Sequence, residues 1–191
     1  MTLFQFLTIF DDLKQVLRTG WLLRGVPPSR AENVAAHSHT TAILAYLLAL
    51  QAKEPVDLHQ VLLMALIHDA PEAVIGDIPM SAQKADPEIR EAKEKAEDNA
   101  MQQILTYLPA NLQSTVAEAW SAYRKGTSME ARLVEAADRL ATALHAAQLV
   151  KSGFPVETFR PFVDHAEKTV GALQIPQASD FIKELREVFP R

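Results

Sequence analysis

Apolar side chains recur every three or four positions along most of the chain, which is the spacing of helices that bury one face. Glycine is scarce, with six in 191 residues, and clusters of β-branched residues are few. The sequence therefore predicts an all-α fold with about seven to eight helices. The predicted helices cover residues 3–18, 32–53, 58–69, 87–108, 111–123, 128–152, 157–174 and 179–189.

Capping and breaking residues set several of these boundaries. Asp86 followed by Pro87 predicts a helix start, because aspartate caps the free N–H groups and proline fits the first turn. Asp57 predicts a second such start. Gly20 is interpreted as the cap that ends the first helix. Pro71 predicts that the third helix, buried nearly all round, ends after residue 69, because proline cannot donate to the carbonyl four residues back.

Length and composition predict a single domain. The expected domain spans residues 1–191, with a core over 3–150 and C-terminal helices in 155–191 that pack on it. Net charge is −5 and no basic block occurs, which argues against a nucleic-acid polymer as partner. The charged run at 90–98 predicts a solvated helix face. The absence of cysteine excludes thiolate metal sites, and the lack of a leader or long apolar run favours a cytoplasmic protein without membrane contact.

The densest chemistry lies at residues 66–78, where one histidine and three carboxylates occur within ten positions. His68 and Glu72 are one helical turn apart, whereas the adjacent His68 and Asp69 can face one centre only if the helix ends there. Asp77 follows a glycine that permits a tight turn. Imidazole with carboxylates is a ligand set for a divalent metal. The alternative is a capped helix end without metal.

Two further residues stand out because they are polar at apolar positions. His37 falls on the inward stripe of the second predicted helix, where it is either a metal ligand or a core histidine. Asp138 falls on an apolar helix face, where a carboxylate must be paired or bound to a metal. A salt bridge, for example to Arg139, is the structural alternative for Asp138.

The end of the first predicted helix and the loop after it contain candidate ligand-binding residues. Arg18, Trp21, Arg24 and Arg30 lie close together in sequence. An arginine fork suits a phosphate group, and an indole can lie against a sugar or a base. Packing of Trp21 in the core and solvation of the arginines are the alternatives.

The order His37, His68–Asp69 and Asp138, on three separate helices, resembles the HD-domain metal-dependent phosphohydrolases. The segments at residues 18–21, 24–26, 32–38, 68–72 and 76–78 look like the 5'-deoxynucleotidase branch of that superfamily. The similarity covers about residues 3–150. It implies a single-domain HD helical bundle.

The resemblance implies a phosphomonoesterase that hydrolyses 2'-deoxyribonucleoside 5'-monophosphates to deoxynucleoside and phosphate. It implies a divalent cofactor, Co²⁺, Mn²⁺ or Mg²⁺, and a homodimer. The implied metal ligands are His37, His68, Asp69 and Asp138. By the same resemblance Arg18 contacts the phosphate and Trp21 the substrate. A second metal or water activation is the implied role of Glu72 and Asp77, with the Ile78 carbonyl.

Two other functions remain open from the sequence. One is an HD-domain enzyme that cleaves another nucleotide, such as a phosphodiester, a triphosphate or an alarmone. The other is a non-catalytic helical module that binds a metal or a nucleotide. Glu72 and Asp77 beside four metal ligands favour an enzyme, because a structural site would be closed to water.

Overall fold

The computed structural model describes residues 3–189, and the regular structure in that range is helical. Eight of the α-helices have ten residues or more, which confirms the predicted all-α class. Within residues 3–189 no helix is long and apolar enough to cross a bilayer. A 3₁₀ turn covers Pro176–Ala178. The α-helices are α1 Leu3–Asp12, α2 Thr19–Leu22, α3 Val34–Leu50, α4 Leu58–Ile67, α5 Glu72–Ile75, α6 Met80–Ala85, α7 Pro87–Leu105, α8 Ala110–Lys125, α9 Met129–Lys151, α10 Val156–Ala172 and α11 Ser179–Val188.

The chain divides into two compact units. The first unit contains the chain up to Ala36 together with Ile67–Trp120. Within it α1 and α6 pack against α7, and α5 contacts both α1 and α7. Buried side chains from these segments form its core: Leu13, Trp21, Val26, Met101, Ile104 and Leu108.

The second unit contains His37–Leu66 and the chain from Ser121 onward. Its longest helix is α9, against which α10 and α11 pack. Seven alanines of α9 are buried, and such small side chains let neighbouring helices approach closely. Larger apolar side chains of the neighbouring helices, Phe159, Ile182 and Leu185, are buried as well.

The predicted helix starts are confirmed where the signal is local. Oδ1 of Asp57 accepts from the backbone N–H groups of His59 and Gln60 at 2.9 and 3.1 Å. Oδ1 of Asp86 accepts from the N–H of Glu88 at 2.9 Å, just before α7 begins with a proline. In both cases an aspartate satisfies N–H groups that lack a partner within the helix.

The first helix is shorter than predicted. It ends at Asp12 rather than at residue 18, because the following backbone bonds to a distant segment. The N–H of Arg18 donates to the carbonyl of Glu32 at 3.0 Å, and the N–H of Val34 donates to that of Val16 at 2.9 Å. Groups used in this way cannot continue the helical ladder.

Three other sequence predictions also need correction. Gly20 does not cap the first helix but lies inside α2, within the predicted loop. The segment before Asp86, also predicted as a loop, contains α6. Helix α4 is not buried all round, since Leu66 is 49% exposed.

The predicted solvated face at residues 90–98 is wrong for two of its members. Lys93 and Glu97 form an ion pair whose side chains are 14% and 10% exposed. They lie one turn apart on the same stripe of α7 as the buried Met101 and Ile104. Mutual charge compensation allows both groups to leave bulk water.

Candidate functional site

The histidine–aspartate pair lies in the turn that follows α4. That helix ends at Ile67, and the N–H of Ala70 donates to the Ile67 carbonyl at 3.0 Å. The N–H of Glu72 donates to the carbonyl of Asp69, also at 3.0 Å. Because this turn is not helical, adjacent side chains can face each other. Nε2 of the buried His68 lies 3.2 Å from Oδ2 of Asp69.

Arg18 lies against the same aspartate oxygen. Its Nη1 donates to Oδ2 of Asp69 at 3.2 Å, and both side chains are only 16% exposed. The pair is therefore partly shielded from water, and the guanidinium orients the carboxylate. Trp21, on α2, is 1% exposed and belongs to the core. Nη1 of Arg24 donates to the carbonyl of Gly20 at 3.0 Å.

Glu72 is a buried carboxylic acid beside other charges. Glu72 is the first residue of α5 and is 4% exposed, and its Oε2 has no hydrogen-bond partner. Burial raises the pKa of Glu72 well above its ordinary value, and the negative charges of Asp69 and Asp77 raise it further. The positive charges of Arg18 and Lys93 act in the opposite direction.

Asp77 is anchored by the start of α2. Gly76 adopts φ 75°, a conformation open to glycine, and so turns the chain after α5. The N–H of Thr19 donates to Oδ2 of Asp77, and Oγ1 of Thr19 donates to the Asp77 carbonyl at 2.9 Å. The carbonyl of Ile78 accepts from Nε2 of Gln83 at 3.0 Å. Of the predicted site residues in this unit, we name five with ionisable side chains the His68 cluster: Arg18, His68, Asp69, Glu72 and Asp77.

The other unit holds the remaining two predicted ligands. His37 on α3 is fully buried, and its Nε2 lies 3.0 Å from Oδ1 of Asp138 on α9. Oγ1 of Thr41, one turn along α3, is 3.4 Å from the same nitrogen. The other oxygen of Asp138, Oδ2, pairs with Nη1 of Arg139 at 3.2 Å. The arginine predicted as the alternative partner of Asp138 is thus present together with His37, and we name His37 and Asp138 the His37 pair.

Sequence reasoning missed three residues of the unit that holds the His68 cluster. Thr19 carried no signal, because its bonds to Asp77 join positions 58 residues apart. Lys93 and Glu97 could have been predicted to point inward, because their spacing continues the apolar stripe of α7. The many charged residues on that helix obscured this pattern.

The donor set fits a divalent metal ion. His68 and Asp69 belong to a group of histidine and aspartate side chains that could hold an ion, each with one ligand atom. The His68 cluster has three carboxylates and one cation, so its local charge favours a further cation. A nearby cation would also compensate the buried Oε2 of Glu72. Nitrogen and oxygen donors without thiolate suit Mn²⁺, Co²⁺ and similar ions.

Comparison with known families agrees with this arrangement. A family model described as HD domain matches residues 10–172, which is most of the chain. This chain belongs to the HD-domain family. The match includes the His68 cluster and the His37 pair, and the resemblance predicted from the sequence is confirmed.

Relatives of this HD-domain protein include curated enzymes and solved structures. The chain is 31% identical to the 5'-deoxynucleotidase HDDC2 of Bos taurus, over 96% of this chain and 83% of that protein. A conserved hypothetical protein from Pyrococcus furiosus has a TM-score of 0.75 at 31% identity, covering 96% of this chain and 99% of that one. A protein described as a predicted metal-dependent phosphohydrolase, from Magnetospirillum magnetotacticum, has a TM-score of 0.66 at 28% identity, covering 97% and 94%.

Proposed function

We propose that this HD-domain protein is a divalent-metal-dependent 5'-deoxynucleotidase. It hydrolyses 2'-deoxyribonucleoside 5'-monophosphates to deoxynucleosides and phosphate. The observation that carries the proposal is the buried, unpartnered Glu72 oxygen within the His68 cluster, in a chain similar to named 5'-deoxynucleotidases. Such a carboxyl group is suited to proton transfer during hydrolysis.

The ion is held by four residues in this proposal: His37, His68, Asp69 and Asp138. Their side chains supply neutral imidazole nitrogens and carboxylate oxygens. Support comes from the family resemblance and from the local pairing of His37 with Asp138 and of His68 with Asp69. A bound Co²⁺, Mn²⁺ or Mg²⁺ ion supplies Lewis acidity toward the phosphoryl group and lowers the pKa of a water molecule.

The chain's own residues then carry the proton and the phosphate charge. Glu72 takes a proton from the attacking water and returns one to the leaving 5'-oxygen, so that no net proton is lost from the enzyme. A guanidinium can donate to more than one oxygen, so Arg18 can contact the phosphate while it orients Asp69. Asp77 and the Ile78 carbonyl already accept from Thr19 and Gln83. Both groups keep further lone pairs, so binding of a second metal stays the alternative to water activation for Glu72, Asp77 and the Ile78 carbonyl.

Trp21 remains a predicted substrate contact, but very little of its side chain is accessible. Only 1% of the residue is exposed, so any contact with a sugar or base is confined to a small edge. Its main effect in this structure is to pack the four-residue helix α2, which places Thr19 next to Asp77.

A comparison of ester classes tests the proposed activity. The metal-loaded protein is assayed with dAMP, with dATP and with bis(p-nitrophenyl) phosphate under identical conditions. The proposal predicts rapid phosphate release from dAMP alone. Preference for the triphosphate or the diester would move the assignment to another HD-domain activity. No turnover by protein that contains metal would indicate a binding module.

Homodimer formation has a candidate surface on α3. The helix contains no Asp, Glu, Lys or Arg, yet Ile43, Leu47 and Leu50 are 49%, 47% and 56% exposed on one face. Because the face is uncharged, a second copy can cover it without like-charge repulsion. We therefore propose that two copies pair through this face. A cytoplasmic location stays a prediction from the sequence.

Leu47→Glu is expected to dissociate the dimer. Burying an unpaired carboxylate costs several kcal/mol, so the dissociation constant should rise by about 100-fold or more. Sedimentation equilibrium measures it, with Leu112→Glu as control, because Leu112 is an exposed leucine on α8. A wild-type monomer, or a Leu47→Glu variant as dimeric as the control, would contradict this surface.

A further inference from the structure

Two neighbouring residues hold both ends of the segment that carries Glu72. Nη1 of Arg18 donates to Oδ2 of Asp69 at 3.2 Å. The N–H of Thr19 donates to Oδ2 of Asp77, and Oγ1 of Thr19 donates to the Asp77 carbonyl at 2.9 Å. The two aspartates stand on either side of Glu72 in the sequence. The dipeptide of Arg18 and Thr19 therefore holds this segment before and after Glu72.

The dipeptide is itself fixed by the surrounding backbone and core. An isolated antiparallel bridge joins Leu17 to Asn33, and the N–H of Arg18 donates to the carbonyl of Glu32 at 3.0 Å. On the other side of the dipeptide, Trp21 is 1% exposed and anchors α2 in the core. Because the chain is held on both sides, the dipeptide is a firm support for groups that bind to it.

The chain that leads to Asp77 depends on outside contacts for its conformation. Helix α5 has only four residues, and a helix of that length is not stable without tertiary contacts. Gly76 follows it at φ 75°, and glycine leaves the backbone free to adopt many conformations. The bonds from Thr19 fix the carbonyl and one carboxylate oxygen of Asp77. Both the main chain and the side chain of Asp77 are oriented in this way.

We propose that Thr19 is a positioning residue for the reaction, which acts by orienting Asp77 and fixing the end of the segment that carries Glu72. The roles of Asp77 and Glu72 in turnover rest on the proposed function, whereas the two bonds of Thr19 do not. Small displacements of reacting groups slow an enzyme strongly. Loss of these bonds should therefore lower kcat.

Kinetics of hydroxyl variants separate positioning from general structural support. Thr19→Val keeps the shape of the side chain and removes the hydroxyl bond, whereas Thr19→Ser keeps the hydroxyl. With Mn²⁺ and dAMP, Thr19→Val is expected to lower kcat about tenfold, and Thr19→Ser should stay within about twofold of wild type. Thr106→Val is the matched control, because the exposed Thr106 donates from Oγ1 to the Gln103 carbonyl at 2.7 Å. Equal kcat values for Thr19→Val and Thr106→Val, or an equal loss in Thr19→Ser, would overturn the positioning role.

The bond from the Thr19 N–H is measured without any activity assay. Proline lacks this N–H but is favoured at the first position of a helix, which Thr19 occupies in α2. Arg18, at φ −68° and ψ 108°, already has the extended backbone that a following proline requires. Thr19→Pro therefore removes the donor to Asp77 and keeps the start of the helix.

A double-mutant cycle on the full-length protein uses this variant. Urea unfolding in EDTA at neutral pH is followed for wild type, Thr19→Pro, Asp77→Ala and the double variant. The hydroxyl bond to the Asp77 carbonyl is lost in both backgrounds and cancels. Because a hydrogen bond to a charged group is a strong one, Thr19→Pro should change the unfolding equilibrium constant about tenfold less in the Asp77→Ala background. Additive effects within about twofold would overturn the interaction.

Amide hydrogen exchange replaces the cycle if Thr19→Pro does not fold. The Thr19 amide should exchange about tenfold faster in Asp77→Ala than in wild type, because its acceptor is gone. Equal exchange in the two proteins would overturn the interaction. A wild-type protein without phosphatase activity would refute the proposed function and with it the positioning role, while the cycle or the exchange rates would still decide the interaction.

Discussion

His68→Ala is expected to lose nearly all phosphate release and its bound divalent metal while remaining folded. His68 is buried, lies 3.2 Å from Asp69 and supplies one of the proposed ligand nitrogens. Metal chemistry contributes several kcal/mol to catalysis, and each 1.36 kcal/mol is a factor of ten, so kcat/KM should fall by about 10³-fold or more. Phosphate release, metal content by atomic emission and circular dichroism measure the three quantities.

His59→Ala is the matched control for this variant. His59 is an exposed histidine at the start of α4, the helix that ends just before His68. It should keep wild-type metal content and activity. Mn²⁺ should raise the melting temperature of wild type and of His59→Ala but not of His68→Ala, because a ligand stabilises only the state that binds it. A folded His68→Ala protein with full activity would contradict the proposed metal centre.

Glu72→Gln is expected to separate activity from stability. Loss of proton transfer should lower kcat by about 10²- to 10⁴-fold. The same change should stabilise the metal-free protein at pH 8 by about 1 kcal/mol or more, because it removes a buried negative charge that Asp69 and Asp77 repel. Activity assays with Mn²⁺ and urea unfolding in EDTA measure the two effects.

The pH dependence of this stabilisation follows from the pKa of Glu72. Burial, together with Asp69 and Asp77, raises the pKa in the folded protein above its ordinary value of 4.5. As pH rises above 4.5 the unfolded chain loses this proton first, so wild-type stability falls until the folded pKa is passed. The advantage of Glu72→Gln should therefore vanish near pH 4 and be complete at high pH. Glu91→Gln, at an exposed site on α7, should show no such dependence. A pH-independent difference would contradict the burial of an ionisable Glu72.

Local signals in the sequence predicted the helix starts well. Asp57 and Asp86 act through N–H groups two or three residues away, so a short window of sequence contains the whole interaction. The end of α1 could not be predicted in this way. It depends on backbone bonds of Arg18 and Val34 to partners in another segment.

The candidate site shows the same division between local and distant interactions. The turn at His68 and Asp69 followed from Pro71 and the end of an apolar run. The contacts of Arg18 with Asp69 and of Thr19 with Asp77 join positions 51 and 58 residues apart, and no spacing rule indicates them. Residue patterns singled out most of the candidate site residues, the family resemblance implied their roles, and the structure supplied their partners.

Phosphate release from dAMP and AMP, measured side by side with Mn²⁺ and with excess EDTA, tests the central claim most directly. The account predicts rapid release from dAMP with Mn²⁺, markedly slower release from AMP, and none from either nucleotide in EDTA. Undiminished release from dAMP in EDTA by protein shown to be free of metal would contradict the metal-dependent mechanism. Equal rates for dAMP and AMP would contradict the assignment to 2'-deoxyribonucleotides.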